Sequence, residues 1–366
     1  MREMVIRSLN ERLNPESNMA LRRRYYRGEV VRLRRGCYFP AREWAEANVW
    51  QRYRLFTAAV GLELPETVFC LETAALHQGY PLVSVPREVS IAVPDRGRAA
   101  YVRGSALASP AGQMLYPGKA APVGFAVRKR VMPVRAETAL HDGLRLTARC
   151  DTLADCAARL PFADAVAIMD AARRPGTQLH VPRAEIEAAI AALPKASQRA
   201  RAMAVLEFSS PDSESPGESL SRANIHLLGF APPVLQHRIA DADGEFARTD
   251  YYWPEANLAG EFDGQGKYLH AAEERGVPLG EVVMREKKRE DRIRRTGIGV
   301  VRWDWQDARD LQVLRRILTD AGVPRAPRTR RMGMQDRWVC RTALSAAEGG
   351  RGRSRGYGGA ASPRGR

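Results

Sequence analysis

Between Phe246 and Asp263 the pattern of side chains predicts two strands joined by a tight turn. Residues 246–253 are rich in β-branched and aromatic side chains, which favour a strand, and residues 258–263 read as the returning strand. Residues 254–257 are turn formers. If the turn is centred between Glu255 and Ala256, Asp250 lies opposite Glu261.

Period-two alternation along the second strand places Asp263 on the same face as Glu261, and Phe262 on the opposite, packed face. Like charges directly opposed across two strands destabilise a sheet. A divalent cation would offset this repulsion, because Mg²⁺ is held by one or two carboxylates together with water and phosphate oxygens. Two alternatives remain open. A shift of the strand pairing by one residue would move every side chain of a strand to the other face of the sheet. An ordinary charged surface would instead pair Arg248 with Asp263.

Near the N-terminus the pattern predicts a short basic helix that ends near Gly28, followed by a strand and a glycine turn. In the strand, the apolar residues Val31 and Leu33 alternate with Arg32 and Arg34. The arginines of this segment suit contacts to phosphates, which position a protein on DNA without reading its sequence. The candidate DNA-binding residues are Arg22, Arg23, Arg24, Arg32, Arg34 and Arg35. The alternative is a basic surface hairpin with no nucleic-acid partner.

The middle of the chain first predicts a few strands, such as residues 89–93, and then helices. Apolar residues at helical spacing predict helices over residues 137–146, 163–173 and 182–193. Their role is expected to be structural.

The C-terminal third begins after a Ser- and Pro-rich boundary at residues 209–216 and predicts a helix, a three-strand meander, a basic helix and a final strand. The first helix starts at Ser215 and stops at Gly229, and the basic helix spans residues 285–295. The final strand spans residues 300–303. Glu218 has two interpretations: part of a capping box with Ser215, or an acidic residue that a helix contributes to a metal site.

These elements predict an α/β chain, of the α+β multidomain kind, in four parts. We expect a winged-helix-like DNA-binding domain at 1–85, a mixed strand and helix region at 86–207, a mixed sheet flanked by helices at 208–320, and a disordered Arg/Gly-rich tail at 321–366.

The chain of 366 residues carries a net charge of +16, which favours a polyanionic partner such as nucleic acid. The charge is uneven, because the segment from Arg325 to Arg366 holds eleven arginines and two acidic residues. The five cysteines are scattered and odd in number, so we expect free thiols rather than disulfides or a zinc site. The chain shows no leader and no apolar run long enough for a membrane span, so a soluble, cytoplasmic protein without a membrane partner is expected.

The N-terminal residues, with an arginine-rich helix, Gly28 and the phrase Leu33-Arg-Arg-Gly-Cys-Tyr38, resemble the winged-helix domain of the AbiEi antitoxin family of type IV toxin–antitoxin systems. The segment 72–81 is similar to the helix that follows in that family. The resemblance covers about residues 1–100. It implies DNA binding, and a cognate toxin as a further partner.

Residues 208–312 resemble the very-short-patch-repair-like endonucleases of the PD-(D/E)XK superfamily. The phrases that carry the resemblance are Gly217-Glu-Ser219, Arg248-Thr-Asp-Tyr-Tyr-Trp-Pro254, Gly260-Glu-Phe-Asp-Gly264 and Arg289-Glu-Asp-Arg-Ile-Arg294. The resemblance implies a metal-dependent nuclease that uses Mg²⁺ or Mn²⁺.

Carried over residue by residue, the resemblance implies that Asp250 and Glu261 bind the metal, that Asp263 occupies the adjoining catalytic position, and that Glu218 has a supporting catalytic role. The lysine in the superfamily's name would fall at Asp263. Lys267 and Lys287 are the candidates to replace it. Gln236 and Arg289 either orient DNA or stabilise the sheet, and the second is favoured.

Two functional hypotheses follow. The first is a metal-dependent DNA endonuclease with an N-terminal DNA-binding module. The second is an antitoxin or transcriptional repressor whose nuclease-like domain is inactive. Acidic residues near DNA phosphates oppose binding, so the acidic face favours the enzyme. A non-catalytic RNA-associated protein, suggested by the tail alone, has less support.

Overall fold

A computed structural model describes residues 6–7, 15–104, 124–132, 134, 138–264 and 279–327 of the chain. Over these residues the structure combines helices with mixed sheets, so the predicted α/β class is confirmed. The predicted Arg/Gly-rich tail, apart from its first residues, lies outside the described residues, as do Lys267 and Cys340. The other four cysteines are free thiols.

The N-terminal part contains the predicted helix and hairpin. Helix α1 (Pro15–Tyr26) is followed by β2 (Val30–Arg34) and β3 (Cys37–Pro40), and the short β1 (Ile6–Arg7) completes a sheet of order β1-β3-β2. Gly28 and Gly36 have φ of 77° and 71° at the helix end and the hairpin turn. Glycine adopts this left-handed conformation without the steric cost that other residues meet.

A six-stranded sheet of order β6-β7-β5-β4-β9-β8 forms the middle of the molecule. Its strand β4 (Val68–Phe69) lies before residue 85, and its other strands lie after it: β5 (Glu88–Val93), β6 (Ala100–Val102), β7 (Ala126–Val131), β8 (Ala139–His141) and β9 (Leu144–Leu146). The boundary expected at residue 85 therefore runs through one sheet. Two helices come before β4 in the chain: α2 (Ala41–Glu46) and α3 (Val49–Glu63). Helix α4 (Leu71–His77) connects β4 to β5.

The helix predicted over residues 137–146 is wrong. Leu140 to Leu146 instead belong to the hairpin of β8 and β9, in which Ala139 pairs with Leu146. Asp142 and Gly143 connect the strands with φ of 49° and 75°. An Asp-Gly pair with positive φ at both residues is the preferred two-residue hairpin turn. This local turn signal outweighs the apparent helical spacing of the leucines.

Four helices follow: α5 (Arg149–Arg159), α6 (Phe162–Arg173), α7 (Arg183–Ala191) and α8 (Ala196–Phe208). Helices α6 and α7 confirm the two later helix predictions. Among the described residues, no helix is both long and apolar enough to cross a bilayer.

The C-terminal part has the predicted order of helix, meander, helix and strand. Helix α9 (Pro216–Leu227) precedes β10 (Val234–Asp241), β11 (Gly244–Trp253) and β12 (Leu258–Asp263). Helix α10 (Leu279–Arg295) then leads to β13 (Gly299–Asp304), and α11 (Trp305–Arg309) and α12 (Leu311–Asp320) follow. The sheet order is β10-β11-β12-β13, antiparallel up to β12 and parallel between β12 and β13.

Helix α9 packs on one face of this sheet. Tyr251 Oη donates to the carbonyl of Glu218 at 2.8 Å, and Trp303 Nε1 donates to Ser221 Oγ at 2.9 Å. Phe262 lies against Gly217 in the first turn of α9. By alternation, Asp250, Glu261 and Asp263 lie on the other face.

The predicted boundary near residue 208 is also crossed by packing. Arg222 on α9 donates to both carboxylate oxygens of Asp170 on α6 at 2.8 Å, and both side chains are buried. One continuous apolar core includes residues from Val31 to Val323. Helix α9, which also packs on the C-terminal sheet, thus packs against helix α6 of the middle region.

Candidate active site on the four-stranded sheet

The strand register predicted for the acidic hairpin is confirmed. Tyr251, Tyr252 and Trp253 pair with Gly260, Ala259 and Leu258. Continuing this register by one position places Asp250 opposite Glu261. A slip of one residue, which would have put these carboxylates on opposite faces, does not occur.

Asp250 makes a side-chain contact where the strand pairing stops. Its Oδ2 accepts a hydrogen bond from the backbone N–H of Phe262 at 2.8 Å. This bond fixes the Asp250 carboxylate beside β12. The side chain is therefore positioned by the sheet backbone itself.

Glu261 is a buried carboxylate whose charge is compensated by two arginines. Arg289 Nη2 lies 2.7 Å from each of its oxygens, and Arg302 Nη1 lies 3.4 Å from Oε2. A buried charge is costly unless it is paired. The repulsion between Asp250 and Glu261 is thus offset by guanidinium groups in this structure.

Asp263 shares Arg302 with Glu261. Arg302 Nε and Nη2 donate to the two oxygens of Asp263 at 2.9 and 2.6 Å, and its Nη1 lies 3.2 Å from Glu290 Oε2. The Arg248–Asp263 pair of the charged-surface alternative does not form. Arg248 binds Glu214 instead, at 2.8 and 2.7 Å.

Glu218 lies at the N-terminus of α9, near the start of the sheet. Ser215 Oγ accepts from the Glu218 N–H at 3.2 Å, as a helix N-cap does. The Glu218 carboxylate does not return to Ser215, as a capping box requires, but accepts from the N–H of Glu214 at 2.8 Å and from Gln236 Nε2 at 3.0 Å. Burial raises the pKa of this carboxyl group.

Four residues occupy one row across the sheet: Gln236, Asp250, Glu261 and Arg302. The pairs Leu235–Tyr251 and His237–Thr249 bracket Gln236 and Asp250, and Glu261 pairs with Arg302. Gln236 has a positive φ of 49° and turns its amide to Glu218. The row therefore connects Glu218 at one end to the arginine–carboxylate contacts at the other.

Arg302 was not among the predicted site residues, and for Arg289 a role in stabilising the sheet was favoured over one in orienting DNA. The parallel pairing of β12 with β13 brings Arg302 beside Glu261, and this pairing joins residues about forty positions apart. One signal in the sequence could have suggested arginines at the site. The helix that leads from β12 to β13 is rich in basic residues.

The two expected metal ligands have suitable chemistry for Mg²⁺, which prefers carboxylate oxygens and retains several waters. Among the described residues, no three or more His, Cys, Asp or Glu side chains form a metal-binding group. A site here therefore rests on Asp250 and Glu261, with water and phosphate as the remaining ligands. It fits on one condition, which is that Arg289 leaves the Glu261 oxygens it now contacts.

Neither lysine proposed to replace the superfamily lysine is placed at the site. Lys267 lies outside the described residues. Lys287 is exposed on α10, two positions before Arg289. Residues two apart on a helix do not share a face, so Lys287 points away from the carboxylate that Arg289 contacts.

The N-terminal arginines divide into two groups. Arg22, Arg23, Arg32 and Arg35 are exposed. Arg24 and Arg34 are engaged by carboxylates, with Glu29 at 3.4 Å and Glu63 at 2.5 Å respectively. The side chains of the exposed four are open to solvent.

Comparison with known proteins gives relatives without a described activity. Two proteins of Mycobacterium tuberculosis, "Uncharacterized protein MT2308" of strain CDC 1551 and "Uncharacterized protein Rv2248" of strain H37Rv, are each 34% identical over 146 residues. The match covers 38% of this chain and 50% of each relative, so it spans about half the length of these proteins. No family model matches the chain. No solved structure matches it either.

Proposed function

We propose that this protein is a metal-dependent DNA endonuclease whose active site lies on β11 and β12. The observation that carries the proposal is the register of this hairpin, which sets Asp250 opposite Glu261 on one face of the sheet. Like charges directly opposed across two strands destabilise a sheet, and a bound cation would remove that cost. Their arrangement suits a hard divalent cation at a phosphodiester.

Within this proposal, Asp250 and Glu261 would hold Mg²⁺ or Mn²⁺. When bound there, the cation lowers the pKa of a coordinated water and stabilises charge on the scissile phosphate. The Phe262 N–H holds the Asp250 carboxylate in position. Arg302 orients Asp263 through a two-point contact and lies beside Glu261.

Glu218 would act at the edge of the site through its contact with Gln236. Burial raises the pKa of Glu218, so this carboxyl group retains a proton to higher pH than an exposed one. The exposed arginines of α1 and β2 would bind the DNA backbone and increase the local concentration of substrate.

A second candidate function is a DNA-binding regulator with an inactive nuclease-like sheet. The observation that favours it is the saturation of Glu261 by Arg289 and of Asp263 by Arg302. An ion-paired network of this kind could serve only to stabilise the sheet. DNA binding without hydrolysis would then be the whole activity, with a toxin as a further partner.

Cleavage of supercoiled plasmid and short duplexes separates the two candidates. The purified protein is assayed with Mg²⁺, Mn²⁺ or EDTA, beside Asp250→Asn and Glu261→Gln. The matched control is Asp241→Asn, which removes another carboxylate of this sheet that an arginine of α10 also contacts, at 2.7 Å. The nuclease proposal expects metal-dependent nicking that both site variants lower at least a hundredfold and that the control retains. Binding of DNA with no nicking under any metal would favour the regulator.

A further inference from the structure

Arg289 and Arg302 both lie beside Glu261, but their contacts differ. Arg302 contacts three carboxylates, those of Glu261, Asp263 and Glu290, with distances between 2.6 and 3.4 Å. Arg289 places one nitrogen, Nη2, between the two oxygens of Glu261 at 2.7 Å. Arg302 thus bridges three carboxylates, whereas the Nη2 of Arg289 lies against both oxygens of Glu261.

The contact of Arg289 competes with a metal ion for the same carboxylate. Its Nη2 lies 2.7 Å from both Glu261 oxygens, so it occupies the position at which this carboxylate would chelate a cation. Two positive groups at that distance also repel each other. Metal binding at Glu261 therefore requires a new partner for the guanidinium of Arg289.

The surroundings of Arg289 indicate a phosphate as that partner. The side chain of Arg289 is 25% exposed, while that of Glu261 is 3% exposed, so Arg289 extends from the buried site towards solvent. Its helix also presents Lys287, Lys288, Arg294 and Arg295 on exposed positions. A basic helix attracts a nucleic-acid backbone, and a guanidinium binds a phosphate through two parallel hydrogen bonds.

We propose that Arg289 is a phosphate-binding residue that exchanges partners: it neutralises Glu261 in the free protein and transfers to a backbone phosphate of bound DNA, which opens Glu261 to the divalent cation. This inference rests on the proposed nuclease function. It assigns Arg289 to the substrate rather than to the sheet. It also couples the binding of metal to the binding of DNA, and such coupling is reciprocal.

The first test is Mn²⁺ binding to the full chain without DNA, measured by isothermal titration calorimetry. Arg289→Gln should bind Mn²⁺ at least tenfold more tightly than the wild type, because the guanidinium of Arg289 no longer competes for the two Glu261 oxygens, while Arg302 stays in place. Arg285→Gln is the matched control. Arg285 lies one turn earlier on α10 and pairs with the exposed Glu281 at 2.6 Å, so this change should leave Mn²⁺ affinity unaltered.

Two further variants keep the result interpretable. Arg289→Lys retains a cation beside Glu261, which protects the fold, but lacks the planar fork, and should bind Mn²⁺ with intermediate affinity. The double variant Arg289→Gln/Glu261→Gln should lose the increase in Mn²⁺ affinity. This result would show that the additional Mn²⁺ binding depends on the Glu261 carboxylate. Circular dichroism verifies that each variant is folded.

The second test measures the affinity of a labelled duplex by fluorescence anisotropy, with Mn²⁺ and with EDTA. Mn²⁺ should increase the affinity for the duplex several-fold more in the wild type than in Glu261→Gln. The variant is the control, because Mn²⁺ acts on the DNA itself equally in both experiments.

The inference is overturned if folded Arg289→Gln and Arg289→Lys bind Mn²⁺ no more tightly than a wild type that itself binds the ion and cleaves DNA. In that case the nuclease proposal survives and Arg289 has a structural role. If none of the folded proteins binds Mn²⁺, with or without duplex, the nuclease proposal falls and the inference falls with it.

Discussion

At the scale of single residues, the site depends on how buried charges are compensated. Glu261 is buried and in contact with Arg289 and Arg302, and Asp250 is held by a backbone N–H. Truncating one partner of a buried ion pair leaves an uncompensated charge and costs about 3–5 kcal/mol. Variants of these residues therefore need a check of folding alongside any assay of activity.

His77 gives a residue-scale prediction that does not involve the site. It is buried, its Nε2 has no hydrogen-bond partner among the described residues, and burial, with the nearby Arg54, lowers its pKa to about 4. Between pH 6.5 and 4 the unfolded state binds the proton that the folded state refuses, so stability falls as the pH falls through this window. At pH 4, His77→Gln should abolish roughly 1–3 kcal/mol of this acid-induced decrease in the free energy of unfolding. Above pH 6.5 it should change the pH dependence little.

Urea unfolding followed by circular dichroism at several pH values measures this effect. The control is His180→Gln, which alters an exposed histidine of a loop. The same pH profile for the wild type and His77→Gln would contradict the assignment of His77 as a buried neutral histidine.

At the scale of elements, the site depends on the close approach of α9 to β12. A Cβ on Gly217, in the first turn of α9, would lie 2.0 Å from Phe262 Cε1, so any other residue there requires the buried Phe262 ring to move. Gly217→Ala should lower the free energy of unfolding by about 1–3 kcal/mol, the usual cost of overpacking. The same change should lower cleavage, because it displaces Glu218 from Gln236.

Gly280→Ala on α10 is the matched control for this prediction. Among the described residues, no heavy atom outside the adjoining residues and backbone of the helix lies within 4 Å of a Cβ at Gly280, so alanine there should stabilise the helix by about 0.5–1 kcal/mol. Pairing Gly217→Ala with Phe262→Ala should recover part of the loss. Additive effects of these two changes in a double-mutant cycle would argue against the contact.

The elements also show how much the sequence could predict. The hairpin of β11 and β12 was predictable in its register, because the turn at Pro254–Asn257 and the alternation beyond it are both local signals. The turn at Asp142–Gly143 is an equally local signal, and it outweighs the helical spacing of the apolar residues around it. The position of Arg302 beside Glu261 was not predictable, since it depends on a parallel pairing made through α10. The sheet that crosses residue 85 depends on similar long-range pairing of β4 with β9.

At the scale of the whole molecule, the positive charge occupies surfaces far apart in sequence. The exposed arginines of α1 and β2 lie in the first tenth of the chain, and the basic helix α10 lies in its last quarter. Each phosphate contact contributes about 0.9 to the slope of log affinity against log salt concentration. DNA affinity should therefore depend steeply on salt.

Replacing Arg22, Arg23, Arg32 and Arg35 together by alanine should reduce this slope by up to about 3.6, which is four contacts at 0.9 each. Fluorescence anisotropy at several salt concentrations measures the slope. Arg34→Ala provides the comparison, because Arg34 is engaged by Glu63 and should change the slope little. An unchanged slope in the quadruple variant would exclude this surface from DNA binding.

The central claim is that Asp250 and Glu261 hold a divalent cation when DNA is bound. The measurement that tests it most directly is anomalous X-ray scattering from crystals of the protein with a short duplex and Mn²⁺. The account predicts an anomalous peak within about 2.0–2.4 Å of carboxylate oxygens of both residues, with Arg289 on a phosphate. A complex with DNA seated on this face, Arg289 still on Glu261 and no peak between the two carboxylates would contradict it.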